Sequence, residues 1–164
     1  MMTESKYILV FTDGASLGNP GLGGYGVVLI SGESRKEIWA GYRKTTNNRM
    51  EILAAIKGLE CLEDRCRVTL FSDSRYLIRA MGQGWARRWR ARGWMRNDTD
   101  KALNQDLWDR LLRLCEYHEV EFRWIRGHGH NRENEYCDQL AKQAARGPNL
   151  LVDEFYEAGL LSKD

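Results

Sequence analysis

The chain has 164 residues, of which 43% are hydrophobic, and its 25 lysines and arginines nearly balance its 23 acidic residues. This size and composition predict one globular domain with a buried core and exclude an intrinsically disordered chain. The four cysteines are too sparse for a disulfide scaffold, and the apolar runs are too short for a membrane span or a secretory signal. We therefore expect a soluble cytoplasmic protein with reduced thiols and no membrane partner.

The first third of the chain is typical of three consecutive antiparallel strands, at residues 7–12, 25–31 and 37–44, which are separated by turn-forming segments such as LGNPGLGG. The later elements are a helix over 52–62, a strand at 68–71, a helix over 74–81, helices within 85–96 and 103–114, a strand at 120–125 and a helix over 137–144. This order predicts an α/β domain over residues 1–148, with helices packed against a mixed sheet. Residues 149–164 are expected to form a tail, either as a short helix around 153–158 or as a loose segment.

The positive charge is concentrated in one segment, residues 85–96, which we call the basic segment. It reads WARRWRARGWMR, with five arginines, three tryptophans and no acid. Cations interleaved with flat aromatic rings suit contact with the phosphates and the sugars or bases of a nucleic acid. The alternative is a solvated amphipathic helix whose tryptophans pack on the body of the protein.

Asp13 and Glu51 are acids at structurally awkward positions. Asp13 ends the first predicted strand on the face that also carries Phe11, although an Asp-Gly turn with Gly14 is the ordinary alternative. Glu51 lies in the first turn of a predicted helix, and Asn48 three positions earlier makes a capping box possible. Taken alone, the position of Glu51 favours capping.

Asp73 and Asp138 are equally ambiguous when each is considered alone. Asp73 directly follows a predicted buried strand, where α/β sheets tend to place ligand groups, but it is also placed to cap the next helix. Asp138 has Lys142 four residues later on the last helix, and an exposed ion pair is the ordinary explanation.

The four acids gain significance as a set. Carboxylate oxygens are hard ligands that suit Mg²⁺ or Mn²⁺ rather than zinc, and converging carboxylates would repel one another without such ions. Two ions about 4 Å apart can activate water and stabilise a leaving oxygen in phosphodiester hydrolysis. The basic segment would then supply the attraction for a polyanionic substrate.

The histidines suggest two other kinds of chemistry. His128 lies in a Gly-His-Gly-His loop, where a mobile imidazole suits proton transfer near neutral pH; a surface histidine or half of a metal site with His130 are the alternatives. Cys115 and His118 have a zinc-like spacing, but no second pair with structural-site spacing accompanies them, which disfavours zinc.

Five segments, in order, resemble the type 1 ribonuclease H family. They are TDGASLGNPGLGGYG around Asp13, TTNNRMEILAAI around Glu51, FSDSRYL around Asp73, the basic segment, and RGHGHNRENEYCDQLA around His128 and Asp138. Each motif would be weak alone, but five in order over residues 7–146 are specific. The resemblance implies a ribonuclease H-like fold with a mixed five-stranded sheet, in which three antiparallel strands are followed by two parallel additions and helices pack against the sheet.

The resemblance also implies a metal-dependent endoribonuclease. Such an enzyme hydrolyses the RNA strand of RNA/DNA hybrids and leaves 5′-phosphate and 3′-hydroxyl ends. Asp13, Glu51, Asp73 and Asp138 match the family's ligands for Mg²⁺, with Mn²⁺ as a possible substitute and no small-molecule cofactor. His128 matches a loop histidine that helps proton transfer or product release.

Substrate contacts follow from the same resemblance. Asn19, Asn47 and Ser74 match positions that face the 2′-hydroxyls of the RNA strand, where RNA is distinguished from DNA. Thr46 and Asn104 match a pocket for a phosphate of the DNA strand. The basic segment, including Trp85, Arg87, Arg88 and Arg90, matches a protrusion that grips the hybrid.

The resulting hypothesis is that Asp13, Asp73 and Asp138 hold an ion that activates water for in-line attack, while Glu51 and Asp13 hold a second ion or its waters. The alternatives are a DNA-processing nuclease of the same fold, a non-catalytic hybrid-binding module and a structural partner domain. The nearly balanced charge and the lack of a large exposed apolar pattern favour a monomer.

Overall fold

The computed structural model describes residues 6–127, 129 and 131–161, which form five strands and six helices. In chain order these are β1 (Lys6–Leu17), β2 (Gly21–Ser31), β3 (Ser34–Thr45), α1 (Asn47–Glu60), β4 (Cys66–Ser72), α2 (Arg75–Gly82), α3 (Trp85–Ala91), α4 (Gln105–Tyr117), β5 (Glu119–Trp124), α5 (Arg132–Arg146) and α6 (Glu154–Leu161). Among the described helices, none is long and apolar enough to cross a membrane.

The strands form one mixed sheet in the order β3-β2-β1-β4-β5. β1 pairs antiparallel with β2, which pairs antiparallel with β3, whereas β4 and β5 are added in parallel on the other side of β1. This arrangement confirms the predicted α/β fold class and its mixed five-stranded sheet. β1 is the central strand, so a side chain near its middle is surrounded by protein on every side.

Helices cover both faces of the sheet. Val10 and Phe11 are successive residues of β1 and therefore point to opposite faces. Val10 packs in the main core with Ile52 and Ile56 of α1, whereas Phe11 packs against Cys137 of α5. Helices α1 and α5 thus sandwich the central strand, and both bring their backbones close to it.

The close approach of α5 depends on glycines in the sheet. A Cβ atom at Gly26 would overlap the backbone carbonyl oxygen of Cys137, and one at Gly41 would overlap that of Ala144. The helix therefore rests directly on the strand backbones, with no side-chain layer between them. Asp138 follows Cys137 on this helix, so the glycines also set its distance from β1.

The first strand is longer than the sequence predicts. Its pairing with β2 continues from Leu9 to Leu17, so Asp13 lies inside the strand, opposite Gly26, rather than at its end. The Asp-Gly turn alternative for Asp13 is wrong because the chain reverses only after Leu17.

Two helices begin or end where the backbone takes a left-handed conformation. Helix α4 begins at Gln105 because Asn104 has φ 65°, and Leu103, which the sequence places on the apolar face of this helix, is 72% exposed. The helix in the basic segment ends at Ala91 because Gly93 and Trp94 both have φ 66°. Apolar spacing could not locate these boundaries, since backbone conformation decides them.

Substitution of Gly26 by Ala is expected to destabilise the protein by about 3 kcal/mol, because the added methyl group meets a helix backbone that cannot move independently of the core. Displacement of α5 should also reduce any activity that depends on Asp138. Gly82→Ala is the matched control, because no atom lies within 4 Å of its added methyl group. Urea unfolding measures both variants, and an unchanged free energy of unfolding for Gly26→Ala would contradict the packing described.

Candidate active site

Three of the four predicted carboxylates meet at one point of the fold. Asp13 comes from the middle of β1, Glu51 from the second turn of α1 and Asp73 from the residue that follows β4. One carboxylate oxygen of each lies within 4.8 Å of the others. The parallel pairing of β1 with β4 brings Asp73 beside Asp13, and the packing of α1 on β1 supplies Glu51.

This cluster is buried and electrostatically costly. Asp13 and Glu51 are 4% and 5% exposed, and their side chains share a hydrogen bond. Burial raises the pKa of the Asp13 carboxyl far above its ordinary value, and the charges of Glu51 and Asp73 raise it further. Burial, with the charge of Asp73 as a smaller cause, raises the pKa of Glu51 to about 8.

The cluster fits a divalent cation. Glu51 Oε2 is buried and has no hydrogen-bond partner among the described residues. Such an orphaned acceptor is destabilising unless a ligand satisfies it. Hard oxygen donors from three carboxylates around an unsatisfied buried oxygen are a donor set that Mg²⁺ and Mn²⁺ accept.

The capping alternatives for Glu51 and Asp73 are wrong. The N-cap of α1 is Thr46, whose hydroxyl accepts from the Arg49 N–H at 3.2 Å. The N-cap of α2 is Ser74, whose hydroxyl accepts from the Leu77 N–H at 3.1 Å. Neither acid is therefore needed to begin its helix.

Asp138 lies at the margin of the cluster. It lines the same cavity of about 500 Å³ as Asp13, Glu51 and Asp73, and its charge contributes to raising the pKa of both Asp13 and Glu51. It also forms the predicted ion pair with Lys142, at 2.9 Å. The ordinary and the site-related explanations of this residue are thus compatible.

Two of the three predicted RNA-contacting residues, Asn47 and Ser74, line the same cavity. Asn19 lies in the β1–β2 turn and accepts a hydrogen bond from the Asn47 N–H at 3.1 Å. This bond fixes the turn against the start of α1, and Asn19 itself lines a neighbouring cavity.

A second cavity, of about 400 Å³, lies beyond Asn19 and contains the two residues predicted to bind a DNA phosphate. Thr46 and Asn104 line it, and they are the N-caps of α1 and α4. Two helix N-termini therefore converge here, and the partial positive charge of each favours an anion. Arg49, buried beneath the cavity, was not singled out by the sequence motifs.

His128 lies outside the described residues, as does His130. Gly127, the residue before His128, lies directly against Asp73. A Cβ atom at Gly127 would come 2.6 Å from Asp73 Oδ2. Gly127, three residues after the end of β5, therefore lies at the carboxylate cluster. The role of His128 stays a prediction.

Arg75 and Trp124 form a further pair beside the cluster that the sequence analysis missed. The Trp124 indole N–H donates to the Asp73 backbone carbonyl at 3.1 Å, and the Arg75 guanidinium lies 4.4 Å from the centre of the Trp124 ring. Arg75 also lines the cavity of the carboxylates. The only sequence signal was the position of Arg75, two residues after Asp73.

The basic segment is less positive in the structure than its composition suggests. Arg90 pairs with Glu116 at 2.7 Å, and Arg92 and Arg96 pair with Asp98 and Asp100. Its tryptophans pack against the core, as the alternative interpretation predicts: the Trp85 ring lies tilted against Trp89, which contacts Trp108 of α4. Arg87 and Arg88 are exposed on the surface of this segment.

The zinc alternative has no support in the geometry. His118 is buried, and its Nδ1 accepts a hydrogen bond from the Cys66 N–H at 3.0 Å. Burial raises the pKa of the Cys115 thiol to about 12, which keeps it protonated and unsuited to a metal. Both residues serve the packing between α4 and the sheet.

The sheet order, together with acids on the central strand, on α1 and after β4, defines a ribonuclease H-like fold. The family model described as RNase H matches residues 5–146. A curated relative from Syntrophus aciditrophicus, named Ribonuclease H, is 62% identical over 151 residues, covering 92% of this chain and 87% of the relative. The chain belongs to the ribonuclease H family.

Solved structures are consistent with this assignment. LC9-RNase H1, described as a type 1 RNase H with the type 2 active-site motif, has a TM-score of 0.80 at 32% identity, covering 97% of this chain and 82% of that one. LC11-RNase H1, solved in complex with an RNA/DNA hybrid, has a TM-score of 0.64 at 25% identity, covering 85% and 96%.

Replacement of Asp13 by Asn is expected to stabilise the metal-free protein by about 1–3 kcal/mol at pH 7.5. Folding raises the pKa of Asp13 from its ordinary 3.8, so folding at neutral pH requires uptake of a proton, whereas an amide requires none. The advantage of the variant should therefore vanish near pH 4 and grow as the pH rises.

Urea unfolding in chelator, from pH 4 to pH 8, measures this difference. Saturating Mg²⁺ should reduce the difference in unfolding free energy between the two proteins, because the ion stabilises the wild type more than the variant. Asp109→Asn, which breaks only the exposed pair with Arg113, is the control. Equal stability of Asp13→Asn and wild type at every pH would show that the buried carboxylate costs nothing.

Proposed function

We propose that this protein is an endoribonuclease that hydrolyses the RNA strand of RNA/DNA hybrids by divalent-metal-dependent, in-line attack of water. The observation that carries this proposal is the buried cluster of Asp13, Glu51 and Asp73, with its unsatisfied oxygen, in a chain of the ribonuclease H family. The hybrid complex of LC11-RNase H1 supports the substrate. The products carry 5′-phosphate and 3′-hydroxyl ends.

Asp13, Glu51, Asp73 and Asp138 would hold the metal, with Mg²⁺ as the proposed ion and Mn²⁺ as a substitute. A bound ion lowers the pKa of an attacking water and stabilises the leaving oxygen. The chain itself contributes rigidity, because Asp13 is fixed in the central strand and Glu51 is fixed by the packing of α1 against the same core as that strand. His128 is proposed to assist proton transfer or product release.

Selection of RNA over DNA is assigned to the residues around the opening of the cavity. Asn19, Asn47 and Ser74 combine amide and hydroxyl groups, which can both donate to and accept from a 2′-hydroxyl. Ser74 uses its oxygen as an acceptor for Leu77, so its own O–H is the donor toward the RNA strand.

The DNA strand is assigned to the second cavity and the basic segment. Thr46 and Asn104 would bind one phosphate at the two converging helix N-termini. Arg87 and Arg88, with the partly paired Arg90, would contact further phosphates, and Trp85 would support that surface.

We also propose that the protein acts as a cytoplasmic monomer, in which residues 1–148 form the catalytic domain and residues 149–164 form a tail. Its free cysteines suit a reducing compartment.

The reaction is tested with one labelled sequence prepared as RNA/DNA, RNA/RNA, DNA/DNA and single-stranded RNA, in Mg²⁺, Mn²⁺ or chelator. We expect cleavage of the hybrid alone, dependent on metal, and a loss of about 10³-fold for Asp13→Asn because the metal ligand is removed while the fold is kept. Cleavage of DNA/DNA would favour a DNA-processing nuclease instead. Hybrid binding without cleavage would indicate a recognition module.

The proposed binding of the hybrid by the basic segment is tested by the salt dependence of hybrid binding in the presence of chelator. Replacing Arg87 and Arg88 by Ala should reduce the slope of log K against log salt by about 1.5, since each phosphate contact contributes about 0.7–0.9. The matched control replaces Arg92 and Arg96, whose charges are already paired with Asp98 and Asp100. Equal slopes for the wild type and the Arg87/Arg88 variant would refute the assigned grip.

A further inference from the structure

The tail beyond the matched family region is attached to the sheet and to α1. Leu151 pairs with Tyr42 at the edge of β3, and the Arg43 N–H donates to the Leu151 carbonyl at 2.9 Å. Two residues later, Asp153 is buried and its Oδ2 accepts from the Thr45 hydroxyl at 2.7 Å. Helix α6 then begins at Glu154, as one of the two expectations for the tail predicts.

Asp153 is one of three partners that together use every donor of Arg49. The guanidinium binds both carboxylate oxygens of Asp153 through Nε and Nη2, and both oxygens of Asp106 through Nη1 and Nη2. The remaining Nη1 hydrogen goes to Asn104 Oδ1 at 3.2 Å. Since an arginine has five N–H donors, its orientation is fully determined by these contacts.

Arg49 in turn orients both phosphate-binding residues of the second cavity. An arginine only donates, so the Asn104 carbonyl must face it and the Asn104 amide nitrogen must face away, where it donates to the Tyr76 hydroxyl at 3.3 Å. The Arg49 backbone N–H holds the Thr46 hydroxyl at 3.2 Å. The Arg49 side chain therefore orients Asn104, and the Arg49 backbone holds Thr46.

The tail also supplies a wall of this cavity. Phe155, Tyr156 and Leu160 line it together with Thr46 and Asn104. The guanidinium carbon of Arg49 lies over the Phe155 ring, 5.4 Å from its centre. The two carboxylates outnumber the arginine charge, so the cavity attracts a phosphate through oriented dipoles rather than through a net positive charge.

We infer that Asp153 is a positioning residue for the DNA-strand phosphate: it fixes the Arg49 guanidinium, which orients the side-chain amide of Asn104. This inference rests on the proposed function and extends it from the matched motifs to the tail. The inference predicts that removal of the negative charge of Asp153 weakens phosphate binding, which is the opposite of the ordinary electrostatic effect. Removing an acidic charge from a phosphate-binding surface ordinarily strengthens binding, whereas loss of a positioning residue weakens it.

The test compares Asp153→Asn with Glu157→Gln. Both remove one negative charge from the tail and one ion pair with an arginine, but Glu157 pairs with the exposed Arg43 and does not touch Arg49. For Asp153→Asn we expect KM for the hybrid to rise about tenfold while kcat changes less than about twofold, as for a lost contact to a phosphate remote from the reaction. For Glu157→Gln we expect KM to stay the same or fall.

A second readout separates positioning from a general loss of structure. A single neutral methylphosphonate is moved along the DNA strand, and in the wild type one position should raise KM. That position-specific penalty should be lost in Asp153→Asn and in Asn104→Ala, and the double variant should be no worse than either single variant. Thr45→Val, which keeps all charges but removes the hydroxyl bound to Asp153, should raise KM in the same direction, by about threefold, and replaces Asp153→Asn if that variant does not fold.

The outcomes distinguish the two proposals. An unchanged or lower KM for Asp153→Asn, with the penalty retained at the same position, would overturn the inference and leave the phosphate pocket intact. If the methylphosphonate raises the KM of the wild type at no position of the DNA strand, the second cavity does not bind a DNA phosphate, and that part of the proposed function is wrong. If the wild type cleaves no hybrid at all, the proposed function fails first.

Discussion

Burial of neighbouring carboxylates is the interaction on which the rest of this structure depends. Asp13 and Glu51 lie at the contact between the central strand and α1, almost without exposure. Ionised groups in such a place are destabilising by several kcal/mol unless a proton or a cation compensates for them. The surrounding core of Val10, Ile52 and Ile56 must therefore provide the free energy that holds the acids together. The acids thus lie where the main core of the protein adjoins the central strand.

Glycines allow close approaches around the site. Helix α5 rests on the backbone of Gly26, Gly14 of β1 lies against the backbone of Glu51, and Gly127 lies against the side chain of Asp73. Each contact leaves no room for a methyl group, so the carboxylates are placed by rigid elements that cannot shift independently. Oxygen ligands held in this way require little reorganisation when a cation arrives, which is the property a hydrolytic metal site needs.

The sequence predicts the fold class and the sheet, and three of the four acids it singles out meet in one cluster, because each leaves a pattern: period-two runs for strands, helical stripes, and ordered motifs around the acids. The sequence does not predict features that are determined by backbone conformation or by tertiary packing. The left-handed Asn104 moves the start of α4 past Leu103, and the extended pairing of β1 places Asp13 inside a strand. Capping of α1 by Thr46 could be recognised only once the helix start was known. The contact between Arg75 and Trp124 left no pattern because it joins the start of α2 to the end of β5, which are far apart in the sequence.

Arg49 is a further feature whose role cannot be predicted from the sequence motifs, because it depends on contacts made in the folded protein. A buried guanidinium is tolerated only when every donor is satisfied, and removing one partner leaves a charge that water cannot reach. Two of its partners, Asp106 and Asn104, lie within the region matched by the family model, but the third, Asp153, lies seven residues beyond its end at residue 146. The motif boundary and the energetic boundary of the domain therefore differ. A tail that satisfies a buried charge belongs to the same packed unit as the site whose donors that charge orients.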